Sequence, residues 1–295
     1  MIIDLSDLSD GFSSKLRVIT YHLAVIKIKK FKKHLYIYEK KTFESPFLFT
    51  DLCLIKNFKI FKLKKKPKTN IVFNPYNDEI ALKKLKNQNF ISDKFNNKFY
   101  KICKLSYKKF IPNKEIQKRI KKINLPNNFI GIHIRSTDRV IKIDNFLNKI
   151  QFSEMIFDFQ INNMIKNLID FIRSKTKIDN IFICSDDKFY REKVFKTLST
   201  KFSIFSNNSS YNTKKFRQTN GKDFITELFC LSKSQIIIST LGGAVPNAAS
   251  LISSKKIKFY KWTNILNFYL FFKIIVVIIF YIKRFKSILF NVFKY

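Results

Sequence analysis

The sequence predicts an α/β protein of two doubly wound domains with parallel sheets, followed by an apolar helix with basic flanks. Two short buried strands in the second half carry this prediction. Phe129 to Ile134 reads FIGIHI and empties into RSTDR, and Ile181 to Asp187 reads IFICSDD. Between them runs a helical stretch from Phe152 to Arg173, with Ile156, Ile161, Met164, Leu168 and Ile172 on one side. In the first half, Leu16, Ile19, Leu23 and Ile26 recur at helical spacing ahead of an alternating segment from Leu35 to Tyr38, so a helix again delivers a strand.

With 295 residues, 46% of them hydrophobic, the chain can bury two cores, which excludes a disulfide mini-scaffold and a wholly disordered chain. Its 57 Lys and Arg against 21 Asp and Glu give a formal charge of +36, which ordinarily points to a polyanionic partner. Here Lys, Ile, Asn and Phe are all inflated and Gly falls to 5, the bias of an AT-rich genome, and the lysines are spread over almost every segment. The charge therefore reads as background, and no nucleic-acid partner is expected. The alternative, a non-catalytic protein binding nucleic acid or membrane, would need lysines clustered on one face.

Cys53, Cys103, Cys184 and Cys230 form no C-x-x-C pair, and His22, His34 and His133 complete no zinc spacing. Reduced, buried thiols in a cytoplasmic protein are expected, with no metal and no cofactor. The opening MIIDLSDLSD carries acids where a signal peptide needs basic residues, so export through that end is not expected.

Gly11 to Lys27 reads as a loop feeding a helix, and Asp78 to Lys86 as a second helix. Phe58 to Lys68, FKIFKLKKKPK, alternates as a surface strand with lysines outward. Pro126, followed by Asn127 and Asn128, marks a boundary, giving an N-terminal α/β domain over 1–126, a second over 127–262 and a tail over 263–295. Ile265 to Lys283 is nearly long enough to span a bilayer, but basic residues flank both ends. A helix lying in an anionic membrane surface is the expected arrangement, ahead of a spanning helix or one that packs back onto the first domain.

In open parallel sheets ligands sit at the carboxyl ends of the strands, and three strand ends here are polar. The first offers Arg135, Ser136, Thr137, Asp138 and Arg139, whose guanidinium groups suit a diphosphate. The second offers Asp186 and Asp187, which could bind ribose hydroxyls, bind a metal or cap the following helix. The third, Ile236 to Ser239, runs through Thr240 and Leu241 into Gly242 and Gly243, whose free backbone N–H groups at a helix start suit an anion. Asp223 lies near the N-terminus of a helix just before it, DFITELFCLS.

GIHIRSTDRV, IFICSDD and DFITELFCLSKSQIIISTLGGAVPNAAS resemble, in order and spacing, the blocks of the α-1,6-fucosyltransferases, a family related to the protein O-fucosyltransferases. The resemblance covers roughly Phe129 to Ser253, and the Gly-rich loop, helix and strand starting at Gly11 are also similar. It implies a GT-B-like fold of two Rossmann-like domains and an inverting, metal-independent transfer of sugar from GDP-fucose, or a similar GDP-sugar, to a hydroxyl of a surface glycan. That work would be done by a protein peripheral to the inner face of the cytoplasmic membrane. By position it implies His133 and Asp223 for the guanine base, Arg135 for the phosphates, and Asp186 and Asp187 near the nucleotide. Arg139 would support the phosphate clamp, because Ser136 stands where the family has a second arginine. Gly242 and Gly243 stand where the family has serines and would contribute backbone N–H groups. Arg135 is then the expected catalytic electrostatic group, with Asp138 or Asp144 as the base. These departures leave open a degenerate site that binds nucleotide without transferring sugar.

Overall fold

The structure is a computed structural model that describes residues 1–6, 12–41, 48–68, 78–135, 140–141, 156–211, 219–240 and 244–261. The segment 265–283 and the loop glycine Gly11 lie outside these residues.

In the N-terminal half, β1 (Ile2–Asp4) leads to α1 (Phe12–Lys29), which returns the chain to β2 (His34–Tyr38). The short α2 (Phe49–Leu52), β3 (Cys53–Ile55) and β4 (Lys59–Lys62) follow, then α3 (Asp78–Asn87), α4 (Asn96–Ser106), β5 (Phe110–Pro112) and α5 (Lys114–Lys122). β1, β2 and β4 form a parallel sheet in that order, and β3 pairs antiparallel with β5. The predicted strand from 58 to 68 is shorter than its alternation suggested, because pairing with β2 reaches only to Leu63, ahead of the Lys64 to Pro67 run.

α1 is buried along nearly its whole length, from Phe12 to Ile26. That burial extends to a charge: Lys15, fully buried, faces Glu39 at 3.7 Å. Glu39 in turn accepts hydrogen bonds from the backbone N–H groups of Phe49 and Thr50, at 2.8 and 2.9 Å, and from the Thr50 hydroxyl at 2.6 Å. A buried carboxylate needs such donors to offset lost hydration, and here they fix the start of α2. Burial lowers the pKa of Lys15, while the Glu39 carboxylate opposes that shift.

The second half contains β6 (Ile130–Ile134), a short parallel pair β7 (Val140–Ile141) and β8 (Ile156–Phe157), then α6 (Asp158–Lys175), β9 (Asn180–Ser185) and α7 (Lys188–Leu198). It continues with β10 (Ser203–Ser206), α8 (Gly221–Leu231), β11 (Ile236–Ser239), α9 (Ala244–Ile252) and β12 (Lys258–Lys261). Five of these strands make an all-parallel sheet in the order β10-β9-β6-β11-β12. β6 and β9 are buried on both faces, which is why they read as nearly unbroken apolar runs. One face packs on α6 and α7 through Met164, Leu168, Ile172 and Val194. The other packs on α8 through Leu228 and Leu231, in a hydrophobic cluster that also contains Leu16, Phe49 and Ile116 of the N-terminal half. One continuous core therefore joins the two sheets.

Gly131 lies on this second face. A Cβ there would come within 2.6 Å of Leu231 Cδ2 and 3.3 Å of Ser234 Oγ, so the residue is needed for close approach of β6 to the end of α8. Leu231 is fully buried, so its side chain would have to shift within a filled core. Gly131→Ala is expected to cost about 1–3 kcal/mol of stability, read by urea denaturation, as overpacking of a filled core does.

Candidate functional site

The carboxyl ends of β6, β9 and β11 are tied together by their own polar residues. The Thr240 N–H donates to the His133 carbonyl at 3.1 Å, and the Arg135 N–H donates to Thr240 Oγ1 at 2.9 Å. Across the next gap the Asp186 N–H donates to the Ile134 carbonyl at 3.3 Å. His133, Arg135 and Asp186 thus stand side by side on one sheet edge, at the position where parallel sheets bind ligands.

His133 is buried, and its Nδ1 lies 3.1 Å from Ser239 Oγ. Burial, reinforced by the neighbouring Arg135 charge, lowers its pKa to about 3. The ring is neutral at physiological pH. In the tautomer in which Ser239 Oγ donates to Nδ1, Nε2 carries the proton and can donate to a carbonyl oxygen.

Of the two aspartates at the end of β9, Asp187 caps α7: the Tyr190 N–H donates to its Oδ1 at 3.3 Å. The Asp187 N–H is held by Ser185 Oγ at 3.0 Å. Capping, one of the roles open to this pair, is therefore assigned to Asp187. Asp138, Arg139, Asp144, Gly242 and Gly243 lie outside the described residues.

Asp223 is the third residue of α8, because Asn220 takes the N-cap and accepts from the Asp223 N–H at 2.9 Å. The Asp223 side chain is only 2% exposed. Its Oδ1 accepts from Arg119 Nη1 at 2.6 Å and from Asn207 Nδ2 at 3.2 Å. Its Oδ2 accepts from Asn220 Nδ2 at 2.6 Å, from the Ser210 N–H at 3.0 Å and from Ser210 Oγ at 3.4 Å. Both oxygens are thus engaged by the protein itself.

One helical turn further on lies Glu227, which the sequence reading passed over. It is buried on the side of α8 that faces Cys184 and Asp186, and it accepts a hydrogen bond from Ser209 Oγ at 2.7 Å. Burial raises its pKa to about 8, aided by Asp223 and Asp186 and opposed by Ser209 and Arg191. Arg191 donates to the Asn207 carbonyl and, at 3.3 Å, to Tyr211 Oη, and Tyr211 donates to the Ser185 carbonyl at 3.3 Å. The segment 207–211 is therefore laid across the end of β9, beside Glu227. Among the described residues no group of His, Cys, Asp and Glu is arranged to hold a metal ion.

No family model matches this sequence, and no curated protein matches it. Solved structures do match the fold. The crystal structure of fucosyltransferase NodZ from Bradyrhizobium aligns at a TM-score of 0.52 and 12% identity, covering 85% of this chain and 92% of that one. NodZ alpha-1,6-fucosyltransferase soaked with GDP-fucose gives a TM-score of 0.51 over 85% of this chain and 91% of that one. The form co-crystallised with GDP gives 0.50, again at 12% identity and with the same coverage. The chain therefore has the GT-B-type α/β fold of these α-1,6-fucosyltransferases, the fold implied by the motif blocks.

Because the folded chain keeps a proton on Glu227 that the unfolded chain releases above its ordinary value of 4.5, stability is full below that pH and falls as pH rises through about 8. Glu227→Gln should remove this decline. Urea denaturation of both proteins at pH 5 and pH 8 reads the difference.

Proposed function

We propose that the protein is an inverting glycosyltransferase that takes a sugar, fucose or one closely similar, from a GDP donor and delivers it to a hydroxyl of a surface glycan. The observation that carries this reading is the meeting of His133, Arg135 and Asp186 on one parallel sheet edge with the buried carboxylate of Glu227 alongside. Guanine offers a carbonyl acceptor beside two N–H donors, so it needs a donor and a carboxylate side by side. In this reading His133 Nε2 donates to the guanine O6. By position, the family resemblance implies Asp223 for the carboxylate role. With five donor groups already on Asp223, the acceptor for the guanine N–H groups is Glu227, and Asp223 acts behind it.

Transfer forms a bond from the acceptor oxygen to the anomeric carbon and breaks the bond from that carbon to the β-phosphate. The departing GDP gains negative charge, and the reacting carbon passes through an oxocarbenium-like state. Arg135 sits at the strand end with a permanent charge and stabilises the leaving diphosphate, with Arg139 and the Gly242 and Gly243 N–H groups as further phosphate contacts. The leaving group is thereby neutralised without a metal. Asp138 or Asp144 takes the acceptor proton. The basic-flanked segment 265–283 would hold the enzyme against the inner face of the cytoplasmic membrane, close to a lipid-linked or surface acceptor.

Arg135→Ala is expected to abolish transfer, with the circular dichroism spectrum and thermal midpoint unchanged. Full turnover in that variant would remove the assignment. GDP affinity is also expected to depend on pH. Guanine donors bind only the ionised Glu227, so the affinity should rise about tenfold per pH unit below pH 7 and level off above about 8. Isothermal titration at several pH values reads that slope, and a flat profile would exclude Glu227 as the reader.

A further inference from the structure

Arg119 is on α5 of the N-terminal half, while its partner Asp223 is on α8 against the other sheet, 104 residues further along the chain. A surface ion pair would contribute little. This one ends on a carboxylate that is 2% exposed, whereas the arginine is 36% exposed, so a cation at the rim of one half neutralises an anion inside the other. The same carboxylate holds Asn207, Ser210 and Asn220. Asn207 Nδ2 also donates to Ser209 Oγ at 3.1 Å, and the Ser209 N–H donates to the Asn207 carbonyl at 2.8 Å. Ser209 is the residue that donates to Glu227. A continuous run of hydrogen bonds therefore leads from Arg119 through Asp223 and Asn207 to Ser209 and ends on Glu227.

We propose that Arg119 is a positioning residue for the nucleotide site: by anchoring Asp223 it holds the 207–210 segment, and Ser209 with it, against Glu227, so that nucleotide affinity depends on how α5 seats against α8. The inference rests on the GDP reading above. Without the guanidinium, Asp223 is a buried anion that has lost its cation. It then either repels charge on Glu227 more strongly or releases the segment that carries Ser209, and both changes disfavour the ionised Glu227. Among the described residues, the other groups facing Glu227 are Arg191 from α7, Asp186 and Cys184 from the end of β9, Tyr211 from the 207–211 segment and Cys230 from α8 itself. Among these described residues Arg191 is the only cation, and it is turned toward Asn207 and Tyr211. A second contact between the helices, Lys222 Nζ to Glu115 Oε1 at 2.7 Å, shares Glu115 with Arg119, whose Nε lies 3.8 Å from the same oxygen, but makes no bond to Asp223 and so provides a control for the Asp223 contact itself.

The test is GDP titration of the full-length protein across pH 6 to 9, comparing wild type with Arg119→Ala, Arg119→Lys and Lys222→Ala. Arg119→Ala is expected to weaken GDP binding at pH 7 by about tenfold or more and to move the pH midpoint upward, by about one unit for each tenfold loss below the midpoint. Arg119→Lys keeps the charge and should hold the midpoint near the wild-type value. Lys222→Ala should match wild type throughout. If Arg119→Ala fails to fold, Arg119→Gln, which keeps a donor but loses the charge, carries the same expectation. Wild-type binding with an unshifted midpoint and affinity in the neutral variant overturns this inference alone. Equal losses in Lys222→Ala reduce Arg119 to general packing and overturn it as well. A wild type that binds no GDP removes the nucleotide reading and this inference together.

Discussion

The structure turns on the cost of putting a carboxylate into the interior of α8. Asp223 lies where α8 meets α5 of the N-terminal half, and a carboxylate with that little exposure persists only if donors replace the lost water. The donors come from three places: α5 of the N-terminal half, the segment after β10, and the Asn220 cap of α8 itself. Satisfying one side chain therefore fixes the seating of the halves, the path of 207–211 and the start of the helix. The apolar cluster running from Leu16 and Phe49 through Leu228 and Leu231 provides burial free energy across the halves, but that term is non-directional. The bonds to Asp223 set the register within it.

Downstream of that constraint, the site is an ordinary property of parallel sheets put to specific use. Hydrogen bonds between neighbouring strand ends align His133, Arg135 and Asp186 without needing a dedicated scaffold. What distinguishes the edge is the ionisation of its two buried members. His133 is neutral and Glu227 holds a proton near neutrality, so an empty site carries little buried charge on either. A base that offers N–H donors would favour the carboxylate form, so that the Glu227 proton would pass to water as the base binds.

Much of this was legible in the sequence because it is local. The runs FIGIHI and IFICS mark strands buried on both faces, and the structure places β6 and β9 there within a residue or two. The aspartate pair after β9 left capping open beside ribose or metal binding, and Asp187 provides a cap. Asp223 was recognised as an acid in the first turn of its helix, although Asn220 holds the cap position and moves the helix start two residues earlier. Glu227 could have been found: it lies four residues after Asp223, beside Leu228 and among positions that face the core, where an acid is out of place. Arg119 could not. Its neighbours in a Lys-rich amphipathic helix look the same as it does, and only the packing of α5 on α8 brings one cation onto Asp223.

The most direct test of the account is a crystal structure of the protein with GDP. The account predicts the guanine edge between His133 and Glu227, the diphosphate against Arg135, and the Arg119 to Asp223 contact preserved behind the base. A nucleotide bound away from the carboxyl edge of β6, or a guanine that reaches Asp223 by displacing Arg119 while Glu227 makes no contact with it, would contradict it.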